Sequence, residues 1–436
     1  MKKKLVASCL ILAMSATLFA GCGNKSEEAG GESDGQVTIQ FMHQQVEEER
    51  LSVVDQIISE FEEANPNVKV ESMPVNEDDF DQKITTLAGS SELPAVIEFS
   101  QDQAKTSVTN QLLDTAAMNE VISTKGEDAF FEGALDVVKT EDGADYVGVP
   151  LCGWVQGIWC NTAMLESKGF SLPESWDDVR AIAEAFYDPA NQSYGIALPT
   201  SDSAFTEQVF SQFALSNGAN VFDADGNVTI DTDAMKEAAE FYKELAGYSM
   251  PGSTEVADVK DAFVGQNAPM CMYSTYILGG CQEAGFLEDV QLALPTNTES
   301  AAYGCVTVLS ISNQISAEES EAAKAFVSFM IEKEHNEEWI TMAPGGVQPV
   351  FAEVAEDTAY TENEAIVPFA HLLENVGEAF DNLKLFGSVD GKNFMAMGDI
   401  TNSGIISKAL NNILVQDADI DAELATAQTS VEGLVK

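Results

Sequence analysis

Arginine is almost missing from this 436-residue chain: Arg50 and Arg180 are the only two, and Lys and Arg together number 21 against 72 Asp and Glu. The resulting formal charge of −51 repels nucleic acid and anionic lipid headgroups, which makes both poor partner candidates. It also argues against an anionic ligand, because carboxylates and phosphates are usually gripped by Arg forks or Lys. The acids lie mostly on predicted helix faces, as in Glu47-Glu48-Glu49 and Glu318-Glu319, and read as a solvated surface. Histidine is equally scarce. His43, His335 and His371 are scattered, share no HExxH or other ligand spacing, and the last two read as surface or helix-packing residues. The seven cysteines include no CxxC pair, which speaks against a zinc site, and no metal or cofactor is expected. No apolar run beyond residue 22 reaches membrane-spanning length. A G-x-S-x-G elbow, a P-loop and a dinucleotide fingerprint are also absent.

What is present begins at the first residue. Met1-Lys2-Lys3-Lys4 precedes an apolar run from Leu5 to Ala20, the pattern of an export signal. Leu18-Phe19-Ala20-Gly21-Cys22 resembles a bacterial lipobox, with Phe19 where leucine is more usual. The resemblance implies that residues 1–21 are removed as a signal peptide and that Cys22 is diacylated. An ordinary signal peptide with an incidental cysteine is the alternative. Residues 22–35, without a large apolar side chain after Cys22, read as a flexible tether. Gly23 rather than Asp follows the cysteine, which together with the acidic body suits the outer face of a Gram-positive cell membrane. The five remaining cysteines, Cys152, Cys160, Cys271, Cys281 and Cys305, read as small buried thiols, although a Cys271–Cys281 bridge is compatible with the spacing.

Length after the tether suits two domains rather than one core. Val37 to Phe41 alternates as a strand; Leu51, Val54, Ile58 and Phe61 mark an amphipathic helix, stopped by Asn65-Pro66-Asn67. A strand from Val68, a helix on Phe80, Ile84 and Leu87, and a buried strand over 93–99 follow, a rhythm that predicts an α/β sheet. The rhythm changes at Pro150 and the aromatic stretch Trp154 to Trp159. Helices are predicted over 176–186, capped by Ser175 and Asp178, and near 204–216, 232–246 and 255–265. Short strands interleave at 195–198, 270–273 and 290–294; 306–311 is a strand, a helix on Ala322, Phe326 and Phe329 follows, and beyond Gly346 the chain reads as helical. Asp223 to Asn227 imitates the start of a calcium loop, but Val228 and Ala234 replace its required Gly and Glu, so a hairpin turn is expected.

Several segments, in order, resemble the extracellular solute-binding proteins of ABC importers, the family of maltose-type and other sugar binders. They are Phe61-Glu62-Glu63-Ala64-Asn65-Pro66-Asn67-Val68-Lys69-Val70, Leu93-Pro94-Ala95-Val96-Ile97, Gly148-Val149-Pro150 through Trp159-Cys160-Asn161, Leu172-Pro173-Glu174-Ser175-Trp176, and Pro344-Gly345-Gly346-Val347-Gln348-Pro349-Val350. Cys160 stands where the family usually has an aromatic residue. The resemblance implies a two-lobed α/β fold of the type II periplasmic-binding-protein kind, with the ligand in a cleft between lobes joined by hinge crossings. Those crossings fall near 152–155, 303–305 and 345–346. Lobe I would hold 36–152 and 305–343, lobe II 155–302 and 347–436.

A neutral sugar needs flat apolar faces to stack on and paired donors and acceptors for its hydroxyls. Gln44 and Gln45 follow the first strand; Asp102 and Gln103 follow the third, Asp102 alternatively serving as a helix cap. Trp154 at the first crossing is expected as a stacking platform, and Trp159 as core. Tyr276, with Tyr273 or Ser274 as weaker choices, follows a strand where family members often carry Trp. Glu207 and Gln208 open a helix as hydroxyl partners; Tyr303 and Gly345 approach from the other crossings. The expected protein is a non-enzymatic, monomeric lipoprotein that captures a sugar and hands it to permease subunits driven by a cytoplasmic ATPase. A secreted carbohydrate-active enzyme and a lipid-tethered adhesin are the rival readings.

Overall fold

Strand β1 (Val37–His43) and the extended segment that follows it feed α1 (Glu48–Ala64), which buries Val54, Ile57, Ile58 and Phe61 and leaves Leu51 half-buried. These are the positions that recur on one face of a 3.6-residue period. Asn65 closes the helix with backbone and side-chain donation to the Phe61 carbonyl, and the chain returns as β2 (Val68–Pro74). Then come α2 (Glu77–Ser90), β3 (Val96–Ser100) and α3 (Gln101–Thr109). The computed structural model describes residues 36–435, so the expected export signal, Cys22 and the expected tether lie outside the described residues.

Four later strands complete the sheet: β4 (Val149–Asn161), β5 (Met270–Ser274), β6 (Val290–Ala293) and β7 (Tyr303–Ile311). The order is β2-β1-β3-β7-β4-β5, parallel among β1, β2 and β3 and antiparallel elsewhere. The aromatic stretch at which the strand–helix rhythm breaks is thus one long strand. One edge of β4 pairs with β7 over Val149–Gln156 and then with β6 over Ile158–Asn161, while β5 takes the other edge from Gln156 onward. Gly153 and Gln348 exchange two backbone hydrogen bonds, and Trp154 faces Cys305 across the ladder. The three segments expected as crossings therefore run side by side.

Two clusters of buried apolar side chains support this sheet. One runs from Phe41, Phe61 and Phe326 through Val308 to Phe263 and Phe286; the other gathers Ile158, Trp176, Phe210, Phe213, Tyr242 and Leu410. Trp159 is core, as expected, its ring nitrogen donating to the Tyr273 carbonyl. Helix Trp176–Phe186 carries the reciprocal Ser175/Asp178 cap, and its first residue stacks on Phe241 at 4.1 Å. Two expectations fail. Residues 195–198 make only the Ala197–Cys271 bridge, because Leu198 is bonded by the side chains of Ser249 and Thr254 and Pro199 cannot donate. The chain beyond Gly346 is not wholly helical, since Ser388–Val389 and Lys392–Asn393 pair as a small hairpin. Cys152, Cys160, Cys271, Cys281 and Cys305 are all free thiols. The 223–227 segment is a turn bridged from Phe222 to Val228, with the Asp223 carboxylate accepting from the Asn227 side chain and two backbone N–H groups.

Candidate functional site

The β4–β7 ladder has one sealed face and one that is incompletely covered. Along β7, Gly304, Val306 and Val308 are buried, whereas Tyr303, Cys305 and Thr307 are half-buried. Cys152, Trp154 and Gln156 oppose them on β4 and share that face. Trp154 and Tyr303 are diagonal neighbours, with ring centroids 5.9 Å apart and planes tilted by 41°. Gln101 fixes the ladder here from the start of α3. Its amide nitrogen donates to the Gly304 carbonyl, and its oxygen accepts from the Val306 N–H.

Two carboxylates act on the Tyr303 phenol through their charge. Burial lifts its pKa well above the ordinary tyrosine value, and the charges of Asp102, Cys305 and Glu207 add to the effect against a hydrogen bond with Gln208. Asp102, in the first turn of α3, keeps 67% of its side chain exposed and lies 4.0 Å from Lys105 Nζ. The helix cap is not Asp102 but Ser100, reciprocated by Gln103. Glu207, on helix Ala204–Ser216, is only 4% exposed. Burial pushes its pKa up to about 7; Thr401 donates to one carboxylate oxygen, and the other has no partner. A buried acceptor without a donor is rare in folded proteins.

Tyr276 stands close to the same ladder, its phenol within electrostatic reach of Cys152 and Cys305. The residue is 51% exposed, and its ring lies against Gly346, where an added Cβ would come within 2.8 Å of it. Its phenol is nevertheless pushed up to about 12, first by desolvation and then by the Cys152 thiol, with Arg50 opposing. Beyond it, Glu98 is buried in β3 with its pKa raised by burial to about 7. The Gln44 N–H and the Gln45 side chain both donate to Glu98 at 2.9 Å, and Arg50 donates to the Gln45 oxygen.

Of the residues singled out in the sequence, Trp154 packs against the Tyr303 ring, Gln208 bonds its phenol, and the charges of Asp102 and Glu207 act on it; Tyr276 shares its Cys305 neighbour. Others are engaged elsewhere. Gln45 is bonded at both ends of its amide; Gln103 is held by Ser100 and Asp81. Tyr273 opposes Gly157, which places it on the other face of the sheet, edge-on to Phe205. Gly345 serves its turn at φ +76°, where a Cβ would strike the Phe369 ring, so Gly346 is the glycine beside Tyr276. Glu98 and Arg50 were missed, although a lone Glu inside Val96-Ile97-Glu98-Phe99 is a signal that could have found the first. The site contains no close group of metal donors among the described residues.

This arrangement offers two aromatic faces, carboxylates able to accept from hydroxyls, and Lys105, whose charge burial disfavours, as the cation nearest Asp102. No helix among the described residues is long and apolar enough to cross a membrane. Comparison with solved structures shows the same two-lobed fold. The sugar-binding protein MalE of Xanthomonas citri superposes with a TM-score of 0.76 at 16% identity, covering 91% of this chain and 97% of the other. Maltose-bound MalE3 of T. maritima gives 0.68 at 20% identity over 91% of this chain and 100% of the other. In sequence, a putative ABC transporter periplasmic-binding protein of Escherichia coli, YcjN, is 41% identical over 423 residues, 97% of each chain. The model of the bacterial extracellular solute-binding proteins matches residues 56–368, and with that relative it shows that the chain belongs to this family.

Proposed function

We propose that this protein is the solute-capturing component of an ABC importer and that its solute is an uncharged polyhydroxylated molecule, a sugar or oligosaccharide. The observation that carries this reading is the open strip bearing Trp154 and Tyr303, bordered by Asp102 and by the unpartnered oxygen of buried Glu207. Stacking faces beside hydroxyl acceptors suit a pyranose ring, and the scarcity of arginine suits a neutral one. The solved neighbours described as sugar-binding and maltose-bound support the same class. Residues 36–152 with 305–343 and 155–302 with 347–436 act as two lobes. They close on the ligand about the adjacent crossings at 152–155, 303–305 and 345–346. Cys22 carries the lipid that holds the monomer at the outer side of the cell membrane beside its permease.

A thermal-shift screen of mono- and oligosaccharides, followed by calorimetric titration and chromatography of the recovered sugar, tests the proposal. A true ligand at a hundredfold excess over Kd stabilises by about 2.7 kcal/mol and is recovered unchanged. Loss of that shift in Trp154→Ala, with unaltered circular dichroism, locates the site. A panel that leaves the melting temperature fixed, or a sugar recovered as product, overturns the reading.

A further inference from the structure

Away from the solute site, α1 and the helix Lys333–Ile340 bring together Glu60, His335 and Glu338, one donor atom from each lying within 4.8 Å of the others. Glu60 is ten residues beyond Arg50 on α1, about 15 Å along the helix axis. The imidazole is held in place by stacking on Phe329 at 3.7 Å. Gln56 reaches the outer oxygen of each carboxylate, donating to Oε1 of Glu60 at 3.0 Å and towards Oε1 of Glu338 at 3.4 Å. That leaves both Oε2 atoms for the third partner. Glu60 Oε2 lies 3.5 Å from His335 Nδ1 without a hydrogen bond. His335 Nδ1 and Glu338 Oε2 are sealed from solvent and have no hydrogen-bond partner. No Lys or Arg among the described residues pairs with Glu60 or Glu338. Burial and the charges of Glu60 and Glu334 raise the Glu338 pKa, with only His335 opposing through its charge.

We propose that Glu60, His335 and Glu338 form a three-donor site for a divalent transition-metal cation, with Zn2+ the best match. An imidazole nitrogen with two carboxylate oxygens is a donor set that Zn2+ accepts, water taking the fourth position. Donors about 2.0–2.2 Å from a tetrahedral ion stand roughly 3.3 Å apart, so the 3.5 Å His335–Glu60 spacing needs almost no adjustment. Gln56 acts as the outer-shell hydrogen-bond donor that orients both carboxylates. Sequence spacing could not disclose the site, because Glu60 and His335 are far apart in the chain. A bound ion would staple α1 to the helix Lys333–Ile340.

The test is calorimetric titration of the chelator-treated full-length protein with ZnCl2, and separately with MgCl2 and CaCl2, at about 0.15 M salt to screen the acidic surface. One Zn2+ per chain should bind with a Kd of about micromolar order, and H335Q and E338Q should each weaken it at least tenfold. Loading with Co2+ supplies a reading that needs no variant, since four-coordinate Co2+ absorbs far more strongly in the visible than six-coordinate Co2+. Strong bands displaced by Zn2+ support the site. Three results would overturn it: no saturable Zn2+ binding below about 1 mM, affinity unchanged in a folded H335Q protein, or Mg2+ and Ca2+ binding as tightly as Zn2+.

Discussion

Glu207→Gln isolates the energetics of the solute site before any ligand is known. In the folded chain burial holds the Glu207 carboxyl at about 7 instead of the ordinary 4.5, and the side chain is only 4% exposed. At 1.36 kcal/mol per pKa unit, ionised Glu207 therefore opposes folding by roughly 3 kcal/mol as an upper figure. The folded state binds the proton more tightly than the unfolded state. Between pH 4.5 and about 7 it holds more protons, so this group's contribution to stability falls as pH rises through that window and levels off above it. Glutamine keeps the shape and the oxygen that accepts from Thr401 but cannot ionise. Urea unfolding of both proteins from pH 4 to 8.5 reads the difference, in which the titration of the other acidic residues cancels. The variant should match the parent near pH 4 and exceed it by about 1–3 kcal/mol above pH 7. A difference that does not change with pH, or a variant less stable throughout, would refute the assignment of a strained, unpartnered carboxylate at this position.

Trp154→Ala should weaken solute binding by about tenfold to a hundredfold through lost stacking and apolar contact, measured by calorimetry, with folding intact. Gly345→Ala should destabilise the ligand-free chain by about 2–5 kcal/mol in urea unfolding. The φ of +76° disfavours a side chain, and the Cβ would lie 2.4 Å from the Phe369 ring. Ser175→Ala, which removes one half of a reciprocal cap, should lower stability by about 1 kcal/mol in the same assay and leave solute affinity unchanged. Dithiothreitol should not move the melting temperature, since Cys152, Cys160, Cys271, Cys281 and Cys305 are thiols; loss of a disulfide would lower stability by about 2–5 kcal/mol.

Local order was written plainly in the chain. The apolar spacing of α1, the Asn65-Pro66-Asn67 stop, the Ser175/Asp178 cap and the strand–helix–strand opening depend on neighbours a few residues apart, and each formed where its pattern predicted. Trp154, Tyr303, Asp102 and Glu207 were legible as aromatic and acidic residues beside the expected crossings. The packing of Trp154 on Tyr303 was not, because it follows from the pairing of β4 with β7 across some 150 residues. Tyr273 and Tyr276 are three positions apart and equally suited by type to line a site. Only the β4–β5 register, with its two-residue alternation, sends Tyr273 to the opposite face, while Tyr276, past the end of β5, lies open against Gly346. Gln45 and Gln103 likewise looked available until Glu98, Arg50, Ser100 and Asp81 claimed their amides. Composition and periodicity alone thus determined an acidic α/β protein whose makeup argues against an anionic ligand. Long-range strand pairing and burial decided which side chains face that ligand, since a side chain's direction and its free hydrogen-bonding capacity are set by groups distant in sequence.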